Sequence, residues 1–194
     1  PSPDGFKYCF MVPSTFLVLR RNGCIFATGN TGKTLSALWA ADYLMRHKLV
    51  NKAIIVTTLS TTDAVWANEI RQHFLFGRKV AVVHGSAEKR KLMLEQDVDF
   101  YVINHDGVKS TEALLAKRTD INLWIIDEAA EGFRNAKTQR YAALVGVLKP
   151  TDRLWLMTGT PCPTAPTDAW ALGRLLGNPH APKYFNAFKN EVML

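Results

Sequence analysis

Short apolar runs alternate with helix-length amphipathic segments almost from one end of the chain to the other. The runs are "CIFAT" (24–28), "AIIVTT" (53–58), "KVAVVH" (79–84), "DFYVIN" (99–104), "LWIID" (123–127) and "RLWLMT" (153–158). They are apolar nearly throughout instead of at every second residue, as strands covered on both faces are. Between "CIFAT" and "AIIVTT", Ala37, Leu38, Ala41, Leu44 and Met45 fall on one stripe of a helix. Further helices are expected near 63–75, 87–95, 108–118, 137–148 and 167–176, with an irregular stretch from Asn178 before a last short helix. Strands and helices in this order, with short links, build βαβ units. The expectation is an α/β fold: a doubly wound, mostly parallel sheet with helices on both faces. At 194 residues the chain fits a single domain, 1–194, with enough length to bury a real core.

The first run leads into a phosphate-type turn. "TGNTGKT", Thr28 to Thr34, lies between a strand and a helix. In a P-loop, backbone N–H groups cradle phosphate oxygens and the helix adds its positive end. A Lys then neutralises charge and a Thr hydroxyl ligates Mg²⁺. Gly32, Lys33 and Thr34 supply the last elements, while Gly29, Asn30 and Thr31 form the body of the turn. The strict G-x-x-x-x-G-K-[ST] pattern fails at Ala27, and a chance Gly-Lys-Thr in a βα loop is the alternative. Asn is the non-glycine residue most tolerant of left-handed angles, so Asn30 suits the turn.

The run "LWIIDEAA" carries four apolar residues straight into Asp127 and Glu128. Two carboxylates at the end of a buried strand repel each other and lose hydration unless a counter-charge is near. Mg²⁺ held at Asp127 relieves that cost, and Glu128 is placed to orient and deprotonate an attacking water. A pair of solvated acids opening a loop would explain the polarity but not the apolar strand feeding it. Lys33, Asp127 and Glu128 are therefore the candidate catalytic set for ATP or GTP hydrolysis, with Thr34 and Asp127 as metal ligands.

Net charge is +7, from 24 Lys and Arg against 17 Asp and Glu, which favours a polyanionic partner or a solvated basic surface. Arg134, Lys137 and Arg140 follow the acid pair at roughly helical spacing and form a candidate basic track. "EKRK", Glu88 to Lys91, reads as an exposed helix face, and His84 as a solvated strand-end residue. Trp39, Trp66, Trp124, Trp155 and Trp170 sit beside apolar neighbours and read as core, not base-stacking platforms. Cys9, Cys24 and Cys162 show no metal spacing, which points to buried thiols in a reducing, cytoplasmic setting. No apolar run approaches the roughly 18 residues that cross a bilayer, so no membrane partner is expected. The chain opens on Pro1, not Met, and reads as a processed or excised piece.

With both motifs in place, the chain resembles the superfamily-two helicases and translocases, most closely the Snf-type remodelling ATPases and their bacterial and phage relatives. "TGNTGKT" is similar to motif I and "IIVTTLSTTDAVWANEIRQHF" to motif Ia with its following helix. "DFYVINHDGV" resembles motif Ic, and "IIDEAAEGFRNAKTQR" resembles the DEAH box with its basic extension. "LWLMTGTPCPTAPTDAWAL" resembles motif III. The resemblance implies a RecA-like first motor domain in which motif I and the acid pair bind and hydrolyse Mg·ATP. Cofactors would be ATP and Mg²⁺, and the partner nucleic acid, DNA in preference to RNA. Carried over by position, Thr58, Leu59, Ser60, Asn104 and His105 would meet the phosphate backbone, with Arg134 beside them. One of the hydroxyls of Thr57, Thr58, Ser60, Thr61 and Thr62 is also expected to cap the next helix. Thr158, Gly159 and Thr160 would link the ATP site to the nucleic-acid side.

Three departures accompany the resemblance. Ala130 stands where the DEAH box has His. The first Gln is Gln72, so no Gln precedes motif I to read adenine, leaving Phe6, Lys7 or nearby backbone for that task. Nothing resembling motifs IV to VI follows Leu194, so the arginine-bearing second RecA-like domain is expected to lie elsewhere. Losing such an arginine typically costs on the order of 10³-fold in rate. The alternatives are a nucleic-acid-binding module with a degenerate, non-hydrolysing nucleotide site, and a small P-loop kinase that would leave motifs Ia, Ic and III unexplained.

Overall fold

Five parallel strands form the centre of the molecule, in the order β4-β5-β3-β6-β7. The structure is a computed structural model that describes residues 17–21, 24–28, 32–73, 77–160, 162–178 and 181–193. The strands are β3 (Lys52–Thr57), β4 (Val80–Val83), β5 (Phe100–Asn104), β6 (Ile121–Ile126) and β7 (Arg153–Leu156). All of β5 but its last residue is buried, as is all of β3 after its first, which explains their unbroken apolar composition.

Residues of alternating parity in these strands serve two separate cores. Ile54, Val56, Tyr101, Ile103, Trp124 and Ile126 face one side. There they meet α3 (Ala87–Glu95), α4 (His105–Ser110), α5 (Glu112–Leu115), α6 (Ala129–Phe133), α7 (Gln139–Val147) and α8 (Ala169–Leu175). Ala53, Ile55, Phe100, Val102, Leu123 and Ile125 face the other side. That side is covered by α1 (Lys33–Arg46) and by a helical segment containing Trp66 and Ile70. Each large apolar side chain removed from water contributes about 1.5–3 kcal/mol, so both layers drive folding. The doubly wound arrangement expected from the sequence is present.

Several elements differ from the sequence expectation. Cys24–Thr28 (β2) is a strand, but it pairs antiparallel with Leu17–Arg21 (β1) in a separate two-stranded sheet, with Arg21 opposite Cys24. A neighbour so close in sequence costs little loop-closure entropy, and "LVLRR" carries no continuous apolar signal to announce itself. The helix expected at 63–75 begins as a π-helical turn, Thr62–Ala67, and becomes regular only over Asn68–His73 (α2). The helix expected at 108–118 is broken at buried Thr111, whose hydroxyl donates back to the Gly107 carbonyl at 2.8 Å. The last helix is α9, Phe185–Val192. Among the tryptophans, Trp66 and Trp124 are core, whereas Trp39 is 56% exposed beside an equally exposed Tyr43 one turn on. Cys162 is exposed instead of buried, and the side chains of Cys9 and Cys24 lie outside the described residues. No helix among the described residues is long and apolar enough to cross a membrane.

Candidate nucleotide and nucleic-acid site

Parallel strands present all their carboxyl ends at one rim, and Thr57, Asn104, Asp127 and Thr158 follow one another along it. Thr57 and Asn104 are register partners at the ends of β3 and β5, and Val56 pairs with Ile126, the last residue of β6. Asp127 follows at once, its N–H donating to the Val56 carbonyl at 2.8 Å. β7 joins the rim through Met157, which donates to the Ile126 carbonyl at 2.8 Å and accepts from Ala129 N–H at 2.9 Å.

Helix α1 starts at this rim. Gly32 precedes it with φ of 101°, a left-handed angle that favours glycine, and its carbonyl accepts the Ser36 N–H at 2.9 Å. Lys33 and Thr34 are half-buried in the first helical turn, where unpaired N–H groups and the helix dipole attract anions. Gly29, Asn30 and Thr31 lie outside the described residues. A cleft of about 410 Å³ runs between α1 and the end of β7, lined by Lys33, Ser36, Ala37, Trp155, Met157 and Thr158 among others. Met157 thus borders the cleft that holds Lys33 and also bonds the strand and turn that carry Asp127. Thr158 lines the cleft, while Gly159 and Thr160 beyond it are exposed.

The Asp127 carboxylate is held from three directions. Its Oδ2 accepts from the Trp66 indole Nε1–H at 2.9 Å and from the Thr57 hydroxyl at 3.1 Å, and Oδ1 accepts from the Glu128 N–H at 3.0 Å. A carboxylate offers about four lone-pair sites, so one remains for a further ligand. Glu128 has φ 47° and ψ 46°, a left-handed conformation unusual for a residue with a side chain. Ala130, in the place of the DEAH-box His, is 3% exposed and packs into the core. For Mg²⁺, the hydroxyl of Thr34 and the carboxylate of Asp127 are hard oxygen donors of the kind that ion takes.

The nucleic-acid candidates divide. Leu59 and Ser60 are exposed and Thr58 and Asn104 half-buried at the same rim. None of the hydroxyls at 57–62 caps the following helix as expected. Thr58 and Thr61 stand at cap positions without a side-chain capping bond to the helix, and Thr61 Oγ1 instead bonds Thr57 Oγ1 at 2.7 Å and Thr58 Oγ1 at 2.9 Å. His105 is 5% exposed, and its Nε2 lies 2.9 Å from the Asp127 carbonyl oxygen. Its ring therefore faces the acid loop and offers little surface to a nucleic-acid strand. Burial lowers its pKa below the ordinary histidine value. Arg134 and Lys137 are exposed on a groove of about 630 Å³ shared with Lys109, Asn135, Thr138 and Arg140. Arg140 is engaged there by Asp106 at 2.7 Å, and Lys109 by Gln139. Glu88, Lys89 and Lys91 are exposed, as is His84.

Thr57 and Trp66 are the contributors that sequence reasoning did not single out as site residues. Trp66 is wholly buried and reads correctly as core, so its apolar neighbours conceal the one polar atom that matters. Its place in a π-helical turn, a geometry often found at functional sites, is a structural signal without a sequence counterpart.

A five-stranded parallel sheet with an anion-attracting helix start and an acid pair on one rim is the arrangement of a RecA-like α/β domain. The chain belongs to the SNF2-related domain family, whose model matches residues 15–193. Among solved structures, it is similar to the Sulfolobus solfataricus SWI2/SNF2 ATPase core in complex with dsDNA. The identity is 25% and the TM-score 0.61, over 82% of this chain and 32% of that one. It shares its fold with the Pyrococcus furiosus Hef helicase domain at 23% identity and TM-score 0.59, over 77% of this chain and 32% of that one. The chain thus spans about a third of the length of these relatives. No curated protein matches it. What the chain shares with this family and with these two structures is the α/β core that carries the candidate site on one rim.

Proposed function

We propose that the domain binds Mg·ATP at the α1–β7 cleft, hydrolyses it with Asp127 and Glu128, and couples turnover to movement along DNA. The reading rests chiefly on one observation: the end of β7 joins the cleft of Lys33 and Thr158 to the loop of Asp127 through the two bonds of Met157. Lys33 and the first-turn N–H groups of α1 would hold the phosphates, and Gly29 to Gly32 the turn around them. Thr34 and Asp127 would hold Mg²⁺, which when bound neutralises phosphate charge. Glu128 would orient the attacking water and accept its proton. Thr58, Leu59, Ser60 and Asn104 would meet the nucleic-acid backbone, and Thr158 to Thr160 would relay between the two. Full rate would need an arginine from a second RecA-like domain, in keeping with the third of the relatives' length that this chain spans.

The neighbour crystallised with dsDNA supports DNA as the track. Ala130 favours a second reading, a nucleic-acid-binding module that holds nucleotide without hydrolysing it. One experiment separates the two. ATP turnover by the full protein is measured with and without duplex and single-stranded DNA and RNA, in wild type, Lys33→Ala and Glu128→Gln. The motor reading expects DNA-stimulated turnover, lost in both variants, with nucleotide binding kept in Glu128→Gln. Turnover that no nucleic acid changes would sink it, and nucleotide binding without any turnover would establish the second reading.

A further inference from the structure

His105 begins α4, one residue beyond β5, yet its imidazole is turned inward beneath the acid loop. Its Nε2 lies 2.9 Å from the Asp127 carbonyl oxygen. A carbonyl oxygen only accepts, so Nε2 carries the proton. The ring is fixed by its neighbours. Phe133 meets it edge-on, with centroids 5.2 Å apart and planes at 77°. The same helix, α6, approaches so closely that a Cβ added at Gly132 would stand 2.9 Å from Nδ1. Glycine at 132 is what lets helix and ring touch.

The atom His105 holds belongs to the peptide plane between Asp127 and Glu128. The opposite end of that plane, the Glu128 N–H, is held by Asp127 Oδ1 at 3.0 Å. The plane is therefore pinned at both ends. Glu128 turns away from it at φ 47°, a left-handed conformation that is unfavourable for an L-residue and persists only if its surroundings impose it.

We propose that His105 is a positioning residue: by pinning the Asp127–Glu128 peptide plane it sets where the Glu128 carboxylate points. It thereby ties the β5–α4 turn, which carries Asn104, to the acid pair. The idea rests on the ATPase reading above and adds to it a part that the family resemblance had assigned to nucleic-acid contact. With Ala130 buried in the place of the DEAH-box His, His105 supplies a hydrogen bond to the same loop from a different element.

The test compares His105→Gln with His105→Phe in the full protein. Gln keeps an N–H donor at similar reach, and Phe keeps ring volume without a donor. Three readouts are taken: melting temperature, affinity for a fluorescent ATP analogue with Mg²⁺, and kcat for ATP with saturating DNA. We expect His105→Phe to bind the analogue within a few-fold of wild type while kcat falls roughly 10- to 100-fold, as small misplacements of reacting groups do. His105→Gln should regain most of that loss. Gly132→Ala, which presses a methyl group on Nδ1 without removing the imidazole, should lower kcat likewise and covers the case in which the Phe variant does not fold. A kcat at wild-type level in His105→Phe overturns the inference. So does a loss shared equally by His105→Gln and matched by lower melting temperature, since that is packing alone. Absence of turnover in wild type is a different result, which removes the ATPase reading and this inference with it.

Discussion

The indole N–H of Trp66 and the Oδ2 of Asp127 lie 2.9 Å apart, joining a π-helical turn after β3 to the residue that closes β6. The bond crosses 61 positions of sequence, and the Thr57 hydroxyl reaches the same oxygen at 3.1 Å. Both donors come from the segment whose exposed residues, Leu59 and Ser60, are the candidates for nucleic-acid contact. A shift of that segment on binding would therefore act directly on the candidate metal-binding carboxylate.

Trp66→Phe isolates this bond, because most of the apolar ring remains while the donor goes. The Oδ2 of the half-buried Asp127 loses one of two neutral donors, and a small cavity forms. We expect a stability loss of about 1–3 kcal/mol, read as a lower denaturant midpoint at constant slope. DNA-stimulated turnover should fall further than basal turnover. Equal losses in both would make Trp66 a core residue and no more.

Most of the fold and the outline of the candidate site are legible in the sequence, and the limits are physical. β3, β5 and β6 showed plainly because burial on both faces forces continuous apolar composition, and Asp127 stood out because such a strand ran into it. Lys33 and Thr34 were legible through the short-range chemistry of a phosphate turn. Trp66 reads only as core and His105 only as a phosphate-backbone contact, since their bonds to Asp127 span 61 and 22 positions and leave no local pattern. Thr111 broke a helix through a hydroxyl whose alternative partner depends on burial. Trp39 went the other way, for a residue amid apolar neighbours on α1 can still face outward when the stripe used for packing lies across the helix.

Acid should weaken the fold through Asp120. Arg118 Nε and Nη2 donate to its two oxygens, each at 2.7 Å, and Lys52 Nζ stands 3.2 Å away. The Arg118 hydrogen bonds hold this carboxyl well below the usual carboxylate range. A depressed folded-state pKa gives stability that is fully present above the unfolded value, about 4, and fades as pH falls through the folded one. Asp120→Asn should accordingly destabilise at pH 7 and show a flatter loss of stability below about pH 4. The carboxylate is partly exposed, so screening limits the difference to about 1 kcal/mol. Identical acid-unfolding profiles for the two proteins would refute the assignment.

The end of α1 offers a test of the fold that is independent of activity. Lys48 is exposed and adopts φ 58°, with its N–H donating to the Met45 carbonyl at 3.0 Å and Leu49 N–H reaching Leu44 at 2.9 Å. A left-handed residue closing a helix favours glycine. Lys48→Gly should raise stability by about 0.5–1 kcal/mol in chemical denaturation, the relief of Cβ strain outweighing the extra freedom of the unfolded chain. A destabilised variant would place the helix end elsewhere.

Salt dependence tests the basic groove beside α7. Arg134 and Lys137 are exposed on its wall, whereas Arg140 is already engaged by Asp106. If the groove carries a phosphate backbone, each cation that neutralises one phosphate contributes about 0.9 to the slope of log affinity against log salt on duplex DNA. Arg134→Ala with Lys137→Ala should lower that slope by nearly 2 and weaken binding alike on unrelated sequences, because phosphate contacts carry no base information. Arg140→Ala should change the slope less, since its charge is partly spent on a carboxylate. Titrations at several salt concentrations decide it. An unchanged slope in the double variant would move the track off this groove and onto the strand-end residues Thr58, Ser60 and Asn104.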